Sequence, residues 1–301
     1  MNFNKKLLDD LKVFSGPYLE SKDIDPVYPV LKKVNEIDKL SLNKALWRTI
    51  WYITWYHLGS AEKCFKLWPK PLRSIQFGKH DTGSERRGFR GEIGAQKAFV
   101  FVNAMINLAP LDEWINIFIS NKNSTENPKF YWKKMFDEFQ KIPYCGTWAA
   151  FKWCDLLKNV HGYSITSPDI GYGGGGPNAG PIPGMMKLTK ENWIDCAVNK
   201  NLQEEIYNEL TVNYNISLNG LEEMETLFCD FNSMINGHYY VGHDLDKQME
   251  DIASLQTEYW DARKLSFPEK YLGESNGWFG VRKKLNSYYL QTGKIFLGGP
   301  L

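Results

Sequence analysis

Trp47, Trp51 and Trp55 stand four residues apart, with Ile50, Ile53 and Leu58 on their flanks. At 3.6 residues per turn this spacing lines the three indoles along one stripe of a helix. A helix over 41–58 is then apolar nearly all round, which only the middle of a folded domain tolerates. Ser41 offers an N-cap and Gly59 a stop. The chain must therefore surround this helix with others. It has the material: 301 residues, 43% hydrophobic and 15% aromatic, with 11 Trp. A chain of this length buries about three quarters of its unfolded surface, so it needs no covalent staples. With 24% charged residues, disorder is excluded.

The rest reads mostly as helix. Apolar spacings of three and four predict helices near 94–108, 111–120, 128–141, 147–160, 189–199, 201–213, 220–236, 244–264 and 278–291. In the 128–141 segment Phe130, Trp132, Met135, Phe136 and Phe139 form the buried face. Leu221, Met224, Leu227, Phe228, Phe231 and Met234 do so in 220–236. Strand patterns are scarce, and 163–165 and 294–297 are the best short candidates. The expected class is all-α. It is either one helical domain over 1–301 or two lobes, about 1–125 and 126–301, with the site between them. Residues 167–183, SPDIGYGGGGPNAGPIP, interrupt the helices. Four consecutive glycines suit neither helix nor ordinary strand, and a loop of this length in a compact domain is usually functional or disordered.

Several classes fall away. Five cysteines without a CxxC pair argue against a disulfide framework and a zinc knuckle. No apolar run approaches 18 residues, and the charged start MNFNKKLLDDLK lacks a signal core, so a cytoplasmic protein without membrane contact is expected. A net charge of +1 excludes wholesale electrostatic binding of nucleic acid but leaves room for a local basic face. No GxSxG elbow, HExxH, P-loop or dinucleotide fingerprint is present.

Four stretches could carry chemistry. In 142–151, IPYCGTWAAF, Ile142, Pro143, Gly146 and Ala150 match the Leu-Pro-Gly-x-Gly-x-x-x-Ala helix-hairpin-helix pattern of DNA glycosylases, with Tyr144 replacing the first glycine. Gly146, Thr147 and Trp148 would open a helix whose free N–H groups hold a DNA phosphate. A Pro-x-x-Gly turn between helices is also common without any such role. Glycosylases that cut the backbone carry a Lys where Trp148 stands, so Schiff-base lyase chemistry is not expected. Their catalytic Asp follows about twenty residues after the hairpin, where this chain has Asp169.

The second stretch, GSERRGFRG over 83–91, sets Arg86, Arg87 and Arg90 between glycines. Guanidinium forks suit bidentate binding of pyrophosphate, with a solvated basic turn as the plain alternative. The third is the Gly-rich loop, where Gly174, Gly175 and Asn178 could form an anion nest. The fourth, HYYVGHDLDKQME over 238–250, offers His243 and Asp246 as groups facing a cleft. Its spacing fits no zinc or EF-hand motif, and an Asp-capped helix explains it equally well.

Taken in order, DIDPVYPV over 23–30, WRTIWYITWYHLGSA over 47–61, GSERRGFRG, IPYCGTWAAFKWCDLL over 142–157 with its Gly-Pro-rich sequel, and the block 241–248 resemble the amino acid:DNA transferases, also called α-glutamyl/putrescinyl-thymine pyrophosphorylases. The resemblance covers roughly 20–290. It implies a DNA-glycosylase-like helical fold in a protein of thymine-hypermodifying phages. It also implies double-stranded DNA carrying pyrophosphorylated 5-hydroxymethyluracil as one substrate. A free amino acid or polyamine (glycine, glutamate or putrescine) displaces the pyrophosphate. The base must be flipped out of the duplex. Arg86, Arg87, Arg90 and the loop glycines would hold the leaving group, and Asp169, with His243 behind it, would take the proton of the amine. No resident cofactor is expected, although Mg2+ could accompany pyrophosphate. Excision of a modified base, and a non-catalytic DNA-binding role in a modification complex, are the competing readings.

Overall fold

In the computed structural model, residues 3–73, 75–119, 127–171, 177–178, 180–252, 255, 257–272 and 282–298 are described. The fold is all-α, with no strand among the described residues. The helices are α1 (Lys5–Glu20), α2 (Val27–Ile37), α3 (Leu42–Trp55), α4 (Leu58–Leu67), α5 (Gly91–Asn107), α6 (Leu111–Phe118), α7 (Pro128–Gln140) and α8 (Thr147–Asn159). They continue with α9 (Ile182–Thr189), α10 (Trp193–Val198), α11 (Lys200–Asn208), α12 (Leu221–Ile235), α13 (His243–Ile252), α14 (Thr257–Ser266) and α15 (Tyr288–Thr292). None is long and apolar enough to cross a membrane among the described residues.

The chain divides into two compact units. One comprises Val27–Thr166 and Asp251–Ser266. Its centre is α3, where every residue from Ala45 to Trp55 is buried. The tryptophan stripe packs internally, Trp47 meeting Trp51 edge-to-face at 5.6 Å. Phe139 stacks on Trp153 at 4.9 Å, and Trp132 meets Phe151 at 5.5 Å, joining α7 to α8. These offset and edge-on geometries let the quadrupoles of the rings attract. Buried Arg48 is held on α3 by the Asn35 side chain and by Asp38 and Glu62, the last also bonded by the Tyr259 hydroxyl at 2.7 Å.

The other unit comprises Met1–Pro26, Ser167–Glu250 and Phe267–Leu301. Leu8, Leu11, Phe14 and Tyr18 of α1 share a core with Ile182, Met185 and Leu188 of α9 and with Leu221, Met224, Leu227, Phe228 and Phe231 of α12. The chain enters twice from widely separated segments, so this core is made by non-local contacts.

Several sequence expectations change. Helix α3 ends at Tyr56, which takes the left-handed conformation at φ 48°, and Gly59 lies inside α4. The predicted 244–264 helix is two helices, α13 and α14. The predicted 201–213 helix changes after α11 into a π-turn over Glu209–Asn213. Helices α1, α2, α4 and α9 were not predicted. Both strand candidates, 163–165 and 294–297, are irregular. Neither bridges to another segment among the described residues, and a lone strand leaves its backbone groups unsatisfied.

Candidate functional site

Helices α7 and α8 form a helix–turn–helix. Asn127 caps α7, its side chain accepting from Phe130 N at 3.1 Å, and Pro128 starts the helix with φ preset. The chain then turns at 141–146. Tyr144 sits at φ 63°, the left-handed region, at the position where the glycosylase pattern has glycine. Gly146 is the N-cap of α8, with no side chain bonded to the first-turn N–H groups. Gly146 and Thr147 are exposed, no atom lies within 4 Å of where a Cβ would stand on Gly146, and α8 has no acidic residue in its first turn. The start of α8 is thus an open, positively polarised helix end.

The arginine turn packs directly on this hairpin. Residues Ser84–Phe89 form a 3-10 turn, and Arg86 points inward, 7% exposed. Its Nε donates to Ile53 O at 2.9 Å and its Nη1 to Tyr144 O at 3.4 Å. The guanidinium lies over Phe89 at 3.8 Å and reaches Trp148 at 5.7 Å. Burial lowers its pKa to about 10, which still leaves it charged at neutral pH. Arg87 and Arg90 face the opposite way and are exposed, with Arg87 Nε on Ser84 O and Arg90 Nε on Thr82 Oγ1. The three arginines therefore do not converge as a single fork. Gly83 is needed for close approach, because a Cβ there would stand 2.2 Å from Tyr56 O. Trp148, half-buried, meets the Tyr56 ring edge-on at 4.8 Å, placing two aromatic side chains beside the hairpin turn.

Asp169 lies in the other unit, in the segment entering the Gly-rich loop. Its carboxylate accepts from Gly171 N at 2.8 Å and pairs with exposed Lys200 at 2.6 Å. Asn178 is exposed. Gly174 and Gly175 lie outside the described residues.

His243 opens α13. Its Nδ1 meets Asp244 at 2.8 Å, and its ring lies tilted against Tyr239 at 4.9 Å. Burial pulls its pKa down, and the hydrogen bond and charge of Asp244 more than offset this, so the imidazole is held above its ordinary value. Asp246 instead anchors the interior, paired with buried Arg282 at 3.0 Å and accepting from Tyr240 OH at 2.7 Å.

The sequence reading missed the carboxylates that distant segments bring near His243. Asp23, fully buried, accepts from Tyr239 OH at 2.5 Å, Gly242 N at 2.6 Å and Leu245 N at 2.9 Å, so it caps α13 from a distant segment. Burial, reinforced by Asp244, raises its pKa to about 7. Asp230 of α12 accepts from Tyr18 OH at 2.7 Å, and burial with the Asp244 charge raises it well above the carboxylate range. Asp25 accepts from Thr226 Oγ1 at 3.4 Å. The available signal was the DxDP sequence at 23–26, but nothing local connects it to α12 or α13.

The comparisons with known proteins follow the hairpin and arginine turn. No curated protein matches the chain. The family model described as amino acid:DNA transferase matches residues 66–240, which contain the arginine turn, the α7–α8 hairpin, Asp169 and Asp230. That match spans more than half of the chain, and the chain belongs to the amino acid:DNA transferase family.

Proposed function

We propose that this protein transfers an amine to the 5-methylene carbon of pyrophosphorylated 5-hydroxymethyluracil in phage DNA and releases pyrophosphate. The amine lone pair forms the C–N bond as the bond from that carbon to the pyrophosphate oxygen breaks. The electron pair leaves with pyrophosphate, and a proton of the nitrogen passes to a protein base.

The family match carries this reading, since it implies an amino acid and DNA as the two substrates. The hairpin supports the DNA side: the open start of α8, backed by Arg86 and flanked by exposed Arg87 and Arg90, suits a phosphate backbone. Trp148 and Tyr56 offer ring faces to a flipped base. Arg87 and Arg90 are the side chains available to a pyrophosphate. Gly174, Gly175 and Asn178 are proposed as its N–H and amide donors. Mg2+ would travel with pyrophosphate as part of the substrate. Asp169, paired with Lys200, is the proposed base, with His243 as the second candidate.

Mass spectrometry of nucleosides tests the reading. The protein is incubated with DNA bearing pyrophosphorylated 5-hydroxymethyluracil and with glycine, glutamate or putrescine. An aminomethyl-uracil adduct is the expected product. An abasic site would replace the proposal with base excision, and unchanged DNA that is tightly bound would replace it with a binding role.

A further inference from the structure

The positive charge of this chain is gathered in one stretch. Residues 63–90 carry eight Lys and Arg against two Asp and Glu, whereas the rest of the chain carries 28 against 33. The whole stretch lies in the unit centred on α3. It begins in α4, continues as a strap over 68–83 and ends in the arginine turn. Residues 68–73 and 75–83 of the strap form neither helix nor strand.

Packing fixes which way the strap faces. Trp68 O accepts from the indole N–H groups of Trp47 at 2.7 Å and Trp51 at 3.3 Å. Ile75 is buried. Phe77 meets the Trp51 ring at 5.4 Å and the Trp55 ring at 5.5 Å, and His80 lies 4.8 Å from the Trp55 ring. Gly83 N donates to Trp55 O at 2.9 Å. The strap is therefore fastened to the tryptophan helix at both ends and in the middle by its apolar and aromatic groups. The far end also touches α4, where Cys64 Sγ lies 3.5 Å from His80 Nε2.

The basic side chains are what this leaves outside. Lys70, Arg73 and Lys79 of the strap are exposed, and so is Lys63 of α4. Lys79 pairs with Glu92 at 3.5 Å, but both side chains are exposed and such a pair holds little energy. Lys63, Lys70 and Arg73 make no ion pair among the described residues. Burial lowers the pKa of His80, and the charge of Lys63 lowers it further, so positive charge here is crowded rather than neutralised.

A basic face of this kind is relieved when a polyanion covers it. Charges spread over two adjoining segments suit an extended array of phosphates better than one small anion. Trp68 and Phe77 are half-buried against α3, so the exposed groups can hold a sugar–phosphate backbone but offer no ring to read a base. The strap runs straight into the arginine turn, whose Arg86 reaches the α7–α8 hairpin at Tyr144 O. We infer that Lys63, Lys70, Arg73 and Lys79 grip the phosphate backbone of duplex DNA outside the nucleotide that is modified. The inference rests on the reading that the protein acts on DNA. It goes beyond that reading in assigning a second contact surface, separate from the hairpin.

The test is binding of the full chain to a labelled, unmodified duplex at several salt concentrations, read by fluorescence anisotropy. The triple variant Lys63→Ala, Lys70→Ala, Arg73→Ala is expected to lower the slope of log K against log salt by about 3 and to weaken binding at low salt at least tenfold. Lys63→Arg, Lys70→Arg and Arg73→Lys together should restore both, since the charge is kept. Thermal melting checks the fold, and the single variant Arg73→Gln, which should lower the slope by about 1, serves if the triple variant melts early. A wild-type slope in the folded variants overturns the inference, as does a wild type that binds no duplex at low salt. Loss of binding to polyglutamate with the DNA slope unchanged overturns it in favour of an acidic protein partner. Failure of the transferase reading has a different signature: no adduct forms on any DNA, while the salt slope still falls in the variants.

Discussion

Arg86 holds the carbonyl of Tyr144 through Nη1 while its Nε holds Ile53 O, so one buried guanidinium ties the hairpin turn to the last turn of the tryptophan helix. The turn residue it reaches is the one whose left-handed backbone replaces the glycine of the glycosylase pattern. Arg86 is therefore part of the scaffold of the region proposed to face DNA, and its neighbours Arg87 and Arg90 supply exposed charge.

Replacing the arginines should separate these roles. Arg86→Ala removes one buried and one part-buried hydrogen bond and a cation–π stack and should destabilise the fold by about 2–4 kcal/mol. Arg87→Ala and Arg90→Ala should stay within about 0.5 kcal/mol of the wild type. If these two contact phosphate, each loss should lower the slope of log K against log salt by about 1. Denaturant melts and DNA binding at several salt concentrations measure both. Equal stability in all three variants would contradict the inward placement of Arg86.

Tyr144→Gly should be tolerated or mildly stabilising, by up to about 1 kcal/mol, because glycine adopts φ 63° without a Cβ clash. The side chain of Tyr144 is half exposed, so little packing is lost. DNA affinity should be unchanged. A loss of stability above about 1 kcal/mol would show that the ring of Tyr144 carries packing of its own.

Asp169→Asn should lower transfer by about 100-fold or more while DNA binding is retained, as expected for a general base. Turnover of Asp169→Asn equal to that of the wild type would move the role of base to His243.

Asp23 makes stability depend on pH. Its carboxyl holds its proton up to about pH 7 in the fold, whereas an unfolded chain releases it near pH 4. The fold therefore binds more protons than the unfolded chain between those values. The stability that Asp23 contributes is complete below about pH 4 and is lost as pH rises through about 7. Thermal melts across pH 4–8 should show the midpoint falling with pH, and Asp23→Asn should flatten that fall. A parallel fall in the variant would assign the pH dependence to other groups.

Most helices were legible because their evidence is local. Trp132, Met135 and Phe139 state the buried face of α7, although Phe130, expected on the same face, is exposed, and Trp47, Trp51 and Trp55 do the same for α3. Helices α1 and α2 were missed because their apolar positions are interleaved with lysines and prolines, and only the opposing core shows which face is buried. The end of α3 was misplaced because Tyr56 takes a conformation that sequence rules reserve for glycine.

The sequence by itself determined the helical class, the buried tryptophan core, the hairpin and the family, since each is written in neighbouring residues or in motifs that keep their order. Tertiary structure alone decided which charges act together. Arg86 and Arg87 are adjacent in the chain, yet one turn of backbone sends the first inward and the second outward. Asp23 and Tyr239 are 216 residues apart, yet they share a hydrogen bond. Periodicity reports the face of a single element. Burial, proton affinity and the meeting of distant side chains belong to the packing of elements against one another, and they exist only once the chain has folded.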